Sequence, residues 1–480
     1  MSLKAETFSA IRWTTVAMVG RSALQFGQMM ILARLLAPAD FGVMAIVVSV
    51  TAFMLVFTDL GVSTAIIHYQ EVTHEELSSL YWLNVLVGAV LMILLIVTSP
   101  WISRLIFHEP ALTPFLALIS VNFVFLALGQ QLRVVAEKTL RFAMLARVEI
   151  LAAIGGSATA VIWAWYWPSV YALVAGVLVN GFLQAALLWL LGSDGWRPAA
   201  RLHLRGIRRF LKFGAYIVAG DFVNSLNRQA DILVGGRFFS ASILGTYSLP
   251  RNLCLNLSLV TNPIITRVGL PVMAKTQTDT AFLRSVYLKT MRMTASVNVP
   301  VYLGIAVFSR DVVWVAFGPK WLNSAPLLVF LAIWGLFRSV ANPVGSLLFA
   351  VGKADRSFWS NIVQLCIVFP GLWTVAHFGI QGLAIGQIAI MAGALIPGWY
   401  FLVRPCCGAR LGEYLMTLLG PLSAGLFAVL IAYLTVGHLN APLWRLAGMA
   451  LVGLPAYLLA SALVNRSWLT AMQQLVLRRT

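Results

Sequence analysis

Residues 31–45 read ILARLLAPADFGVMA, and residues 234–248 read VGGRFFSASILGTYS. With Arg34 set against Arg237, Leu35–Leu36 fall on Phe238–Phe239 and Gly42 falls on Gly245, all at an offset of 203 residues. Each stretch ends one long apolar run and opens the next. A second echo lies downstream, where SRLIFHEP from Ser103 and SRDVVWVAFGP from Ser309 each close the third run of a half. An internal repeat of this length marks a chain built from two copies of one unit.

Outward from the repeat, the solvent of the chain becomes plain. Of 480 residues, 60% are hydrophobic and only 10% charged, against about 25% charged in a soluble domain. So few charges cannot cover a water-facing surface of this size. A membrane span needs about 20 mostly apolar residues, and the sequence offers about fourteen such runs, from 11–33 to 442–464. The expected fold is all-α and polytopic. Six spans separate the repeats, so the halves share one orientation, related by an axis along the membrane normal. The expected division is a six-helix lobe over 1–192, a basic cytoplasmic connector over 193–210, a second six-helix lobe over 211–403, and two further helices with a basic tail over 404–480.

Basic residues orient the spans. Of 34 lysines and arginines, twenty-four lie on segments facing the same side as the N-terminus and six on the opposite side. Both termini are therefore expected in the cytoplasm. The first helix is expected to be retained, since its apolar stretch exceeds the about 7–15 residues of a signal peptide. The stretch from Arg197 to Lys212 interleaves arginines with Leu202, Leu204, Ile207 and Phe210. It reads either as an amphipathic helix on the inner membrane surface or as a plain positive-inside loop.

Charges at membrane depth mark function, because each costs at least about 2.5–3.5 kcal/mol there. The seventh run carries Asp221, Asn224, Arg228 and Asp231, stepping by three, four and three along one helical face. The first run carries Arg21, Gln25 and Gln28, which at the same offset of 203 fall on Asn224, Arg228 and Asp231. Two equivalent helices with matching polar stripes are expected to line one cavity. The eighth run adds Arg251, Asn252 and Asn256 after Pro250, and the tenth adds Arg338, Asn342 and Ser346. Arginines outnumber mid-membrane acids by four to two, which suits an anion, and arginine matches phosphate geometry. The bland reading of Arg228 is an internal ion pair with Asp221 and Asp231. Asp59, nearer the inner end of the second run, reads as a cap or charge partner. Pro250, Pro263, Pro300 and Pro343 offer points where helices bend.

Other chemistry finds no pattern. The net charge of +18 is spread in clusters between apolar runs, as topology signals are and a nucleic-acid surface is not. Cys254, Cys366, Cys406 and Cys407 and the six histidines show no metal or redox spacing. No cofactor, metal site or catalytic residue is expected.

The stretch RSALQFGQMMILARLLAPADFGVMAIVVSVTAFMLVFTDLGVSTAII from Arg21 resembles the start of Wzx-type polysaccharide flippases of the multidrug/oligosaccharidyl-lipid/polysaccharide (MOP) exporter superfamily. NRQADILVGGRFFSASILGTYSLPRNL from Asn227 is similar to their seventh and eighth helices, and GPKWLNSAPLL from Gly318 with LLFAVGKADRSFW from Leu347 to their ninth-to-eleventh region. The resemblance weakens over the last two spans. It implies two six-helix lobes plus two helices, and movement of an undecaprenyl-diphosphate-linked oligosaccharide across the bacterial inner membrane by alternating access. It further implies driving by membrane potential or by coupling to H+ or Na+, and work beside a polysaccharide polymerase and export machinery, as in exopolysaccharide, lipopolysaccharide or O-antigen assembly.

On that reading Arg21, Arg228, Arg251 and Arg338 contact the diphosphate, because cations offset its desolvation. Gln25, Gln28, Asn224, Asn256 and Asn342 bond sugar hydroxyls, and Asp221, Asp231 and Asp59 serve as ion-coupling groups or charge partners. One rival is a multidrug exporter of the same superfamily, for which an acidic or aromatic cavity is expected. A membrane polysaccharide polymerase or ligase would place its catalytic residues in a sizeable periplasmic loop, and no loop here is long enough. A scaffold would have no use for matching polar stripes.

Overall fold

A computed structural model of the chain describes residues 3–69, 72–193, 196–199, 204–466 and 468–470. All regular secondary structure among them is helical. Two compact units emerge, Met1–Gly245 and Thr246–Thr480.

The first unit contains α1 (Leu3–Leu35), α2 (Pro38–Thr58), α3 (Val62–His68), α4 (His74–Trp101), α5 (Thr113–Ile119), α6 (Val121–Lys138), α7 (Phe142–Tyr166), α8 (Val170–Gly192), α9 (Leu204–Phe238) and the first turn of α10 (Ala241–Lys275). Local signals start these helices. Pro38 opens α2, where a missing N–H is no loss, and the Asp40 carboxylate accepts from the Ala37 N–H at 2.9 Å. Thr73 and Glu76 form a reciprocal cap on α4, with N–H to side-chain distances of 2.9 and 3.2 Å. Small residues set the packing. A Cβ on Gly156 of α7 would lie 2.6 Å from the Gly176 carbonyl oxygen of α8, an approach typical of membrane helices.

The second unit holds the rest of α10, then α11 (Thr280–Val307), α12 (Ser309–Phe317), α13 (Ala325–Ala341), α14 (Pro343–Ala350), α15 (Ala354–Ala376), α16 (Gly379–Gly398), α17 (Arg404–Cys407), α18 (Leu411–Val436) and α19 (Pro442–Val464). Asp279 caps α11 by accepting from the Ala281 and Phe282 N–H groups, both at 3.0 Å. Buried Ala424, Ala428, Ala456 and Ala460 bring α18 and α19 together around Tyr457.

The protein is a multi-pass membrane protein. Among the described residues ten helical segments are long and apolar enough to cross a bilayer, or eleven if α11 and α12, bent by 85°, count as one. The sequence reading expects about fourteen. The three outstanding helices are α1, α9 and α10, with 33, 35 and 35 residues. At about 1.5 Å per residue each is roughly 50 Å long, well beyond the about 30 Å hydrocarbon core. These are also the helices that carry the stripes at Arg21, Asp221 and Arg251.

The repeat has a structural counterpart. A Cβ on Gly42 would lie 1.8 Å from the carbonyl oxygen of Ala241, and a Cβ on Gly245 would lie 1.8 Å from that of Pro38. Pro38 and Ala241 are themselves 203 residues apart. The contact is reciprocal, as a local two-fold relation requires. The second echo diverges. After Trp101 the chain continues as a π-helical turn over Ile102–Ile106, whereas after Val307 it turns sharply into α12.

The basic stretch before α9 is no separate surface helix from Leu204 onward. It is the start of α9, and Ile207 and Phe210 are fully buried in protein, against Val62, Ala65 and Ile66 of α3, Leu80 of α4 and Val134 of α6. Arg201, Leu202, Arg478 and Arg479 lie outside the described residues.

Candidate functional site

The second apolar run, continuous in the sequence reading, is broken. After Thr58 the backbone turns through Leu60 and Gly61, with φ of +49° and +68°, before α3 restarts. Gly61 suits this left-handed geometry because it has no Cβ. It also lets another chain segment pass. A Cβ on Gly61 would meet Gly214 of α9 at 2.6 Å, and one on Gly214 would meet the Leu60 carbonyl oxygen at 2.0 Å. Thus α9 crosses the break backbone to backbone.

The break frees polar groups, and Asp59 gathers them. Its carboxylate accepts from the Ser63 N–H at 3.2 and 3.3 Å, closely from the Ser63 hydroxyl, and from Gln130 Nε2 of α6 at 3.2 Å. Gln130 also donates to Ser63 Oγ at 2.8 Å. Asp59 therefore caps the second half of a broken span and ties it to α6.

Beyond the break, α2 and α3 on one side and α9 on the other line an open cavity of about 380 Å³. Its polar lining comprises Asp59, Thr64, Asp221, Asn224 and Arg228, with Leu55, Val56, Ile217 and Val218 among the apolar walls. The α9 wall is pinned to α2. The Phe222 ring packs against Phe57 at 5.4 Å and Phe53 at 6.4 Å between centroids. The Ser225 hydroxyl donates to the Ala52 carbonyl at 3.2 Å, and Ser49 Oγ to Gln229 Oε1 at 3.3 Å. The three polar residues of α9 thus face the cavity from a fixed helix.

The stripe on α9 divides. Asp221, Asn224 and Arg228 line the cavity, while Asp231 is 1% exposed and lies outside its lining. Asp221 is exposed, and among the described residues it makes no hydrogen bond or ion pair. No ion pair joins it to Arg228. The cavity carries two carboxylates and one guanidinium, a balance opposite to the four-to-two arginine excess expected at membrane depth across the spans.

On α1, the Gln28 side-chain oxygen accepts from Ser157 of α7 at 2.8 Å, so that residue ties α1 to α7. Arg21 is half-buried and Gln25 exposed. Arg251, Asn256, Arg338 and Asn342 belong to the second unit. Arg251 is buried, and Asn256 is partly so. The Arg338 guanidinium stands over the Trp334 ring at 5.6 Å. Asn342 is exposed at the break between α13 and α14, where Pro343 opens the next helix.

A buried polar network in the second unit escaped the sequence reading. Asn298 donates to Asn262 Oδ1 at 3.0 Å and accepts from Thr261 at 2.8 Å. Asn262 Nδ2 donates to the Ser339 carbonyl at 3.4 Å, and Tyr302 donates to the Cys254 carbonyl at 2.7 Å. Asn262 stands 203 residues after Asp59, so both halves place a polar side-chain tie at the same position of the repeat.

The profile of a family described as "Polysaccharide biosynthesis protein" matches residues 31–326. The chain belongs to this family. The lipopolysaccharide biosynthesis protein WzxC of Escherichia coli (strain K12) is 32% identical over 434 residues, covering 90% of this chain and 88% of that protein. Among solved structures, the lipid II flippase MurJ in an inward closed conformation matches with a TM-score of 0.78 at 15% identity, over 96% of this chain and 100% of the other. An inward-facing multidrug resistance MATE family transporter of the MOP superfamily matches with a TM-score of 0.62 at 13% identity, over 82% and 98%. At these identities the structures speak for the fold, which is that of MOP-superfamily transporters.

Proposed function

We propose that this polysaccharide biosynthesis family member is a flippase. It moves an undecaprenyl-diphosphate-linked oligosaccharide from the cytoplasmic to the periplasmic leaflet of the bacterial inner membrane by alternating access. The observation that carries this reading is the polar cavity at α2, α3 and α9, with Arg228 in its wall, in a chain of this family and fold. A diphosphate crossing hydrocarbon needs a cation to replace its hydration, and a guanidinium supplies paired donors matched to phosphate oxygens.

In this reading α1, α9 and α10 also cross the membrane, which brings the spans to fourteen with both termini cytoplasmic. Residues 1–192 and 211–403 act as two lobes joined through 193–210, and 404–480 adds two helices. Arg21, Arg251 and Arg338 take further diphosphate contacts, while Gln25, Gln28, Asn256 and Asn342 meet sugar hydroxyls. Asp221, Asp231 and Asp59 are the groups through which H+ or Na+ coupling would act. The lipid tail stays in the bilayer, and the polysaccharide polymerase and export machinery take up the product. The chain performs no bond-making step.

Complementation tests the reading. Expression in strains lacking flippases of known glycan specificity should restore surface polymer in at least one. Failure in all of them, with the protein present in the membrane, counts against it.

A further inference from the structure

The cavity is too small for a whole lipid-linked oligosaccharide. Its roughly 380 Å³ lies near the lower end of the about 300–1,000 Å³ of small-ligand sites. It can hold one part of a head group, and its lining shows which part.

On α9, Asn224 lies four residues and Asp221 seven residues before Arg228. At about 1.5 Å per residue these steps are roughly 6 and 10 Å along the helix. A diphosphate oxygen held at Arg228 leaves the space beside Asn224, Asp221 and Thr64 for whatever the diphosphate carries. In a glycosyl diphosphate lipid, that group is the first sugar.

The lining is chemically suited to hydroxyls. A carboxylate only accepts hydrogen bonds, and its two oxygens can take two neighbouring hydroxyls at once. The Asp221 carboxylate faces the cavity with no partner among the described residues. Asn224 offers both donors and an acceptor, and Thr64 a hydroxyl that does either. Asp59 differs, since Ser63 and Gln130 already donate to it. It adds negative charge on the wall facing α9.

We propose, building on the flippase reading, that this cavity is the subsite for the sugar next to the diphosphate. It selects an uncharged sugar over an acidic one, and Asp221 is the residue that sets this preference. A uronic acid placed there meets like charge from both Asp221 and Asp59, and the two repulsions together are equivalent to about tenfold in affinity. A neutral sugar instead supplies the hydroxyl donors that Asp221 lacks.

The test uses the full-length protein in lipid nanodiscs and three probes: farnesyl diphosphate, its glucosyl derivative and its glucuronosyl derivative. Wild-type protein should bind the glucosyl form about tenfold more tightly than the glucuronosyl form. Asp221→Asn keeps the shape of the side chain and removes its charge, and it should bring the two within about threefold. Arg228→Ala should weaken all three probes. Equal binding of the two sugar forms by wild type, or an unchanged ratio in Asp221→Asn, overturns the sugar subsite while a loss in Arg228→Ala still supports the flippase reading. Undiminished binding of every probe by Arg228→Ala overturns both.

Discussion

Gly42 and Gly245, 203 residues apart, each sit where the neighbouring helix start leaves no room for a Cβ. The hypothetical atom would lie 1.8 Å from a backbone oxygen in both cases, that of Ala241 for Gly42 and that of Pro38 for Gly245. One glycine of a repeat thus packs on the partner of the other.

Alanine at either glycine should therefore destabilise the protein. In an open helix, alanine is favoured over glycine by about 1 kcal/mol, so any loss reports the contact. Overpacking against backbone should cost about 1–3 kcal/mol in both Gly42→Ala and Gly245→Ala. Gly393→Ala is the control, because a Cβ there meets nothing within 4 Å. Thermal unfolding of the three purified variants checks this. Equal midpoints for all three contradict the close approach.

The start of α9 is held by Arg209, whose guanidinium bonds both Glu76 oxygens at 2.9 and 3.1 Å and lies 5.1 Å from the Tyr69 ring centre. The Arg209 side chain is 46% exposed and Glu76 only 16%, so the ion pair itself is worth about 0.2–1 kcal/mol. Glu76 also closes the cap of α4. Glu76→Ala should cost more stability than Arg209→Ala, the difference being of the order of a helix cap, about 0.5–2 kcal/mol. A larger effect of Arg209→Ala would place the stability in the ring contact instead.

Gln130 links Asp59 and Ser63 across to α6. Gln130→Leu should leave membrane abundance near normal and lower polymer export several-fold, since a hydrogen bond to a charged group contributes about 1.5–3 kcal/mol. Gln130→Glu sets a second carboxylate beside Asp59 and should reduce export further. Wild-type export from Gln130→Glu would show that the tie is dispensable.

Much of this fold is legible in the order of residues. The offset that aligns Gly42 with Gly245 predicts a relation that the structure realises atom by atom, and the charge pattern predicts a polar face on α9. Hydropathy could not show the break at Leu60–Gly61. That break depends on Gly214 passing behind it, a tertiary contact between residues distant in sequence. For the same reason Asp59 reads from sequence as a peripheral cap, whereas the turn brings it into one cavity with Asp221 and Arg228. Ser63, Thr64 and Gln130 carried no signal, because neutral polar residues in apolar runs are common and only their convergence gives them meaning. Ile207 and Phe210 read from sequence as part of either a membrane-surface helix or a plain positive-inside loop, since amphipathic periodicity does not say which apolar phase covers them.

The proposed transport of diphosphate-linked sugars across a bilayer runs by way of Arg228. Its most direct test is a flipping assay in proteoliposomes containing a fluorescent polyprenyl-diphosphate sugar, with leaflet exchange followed by quenching from outside. Wild-type protein should speed exchange well above protein-free vesicles, and Arg228→Ala, reconstituted in equal amount, should fall close to the protein-free rate. Wild-type exchange no faster than empty vesicles, or full exchange in Arg228→Ala, would contradict the account.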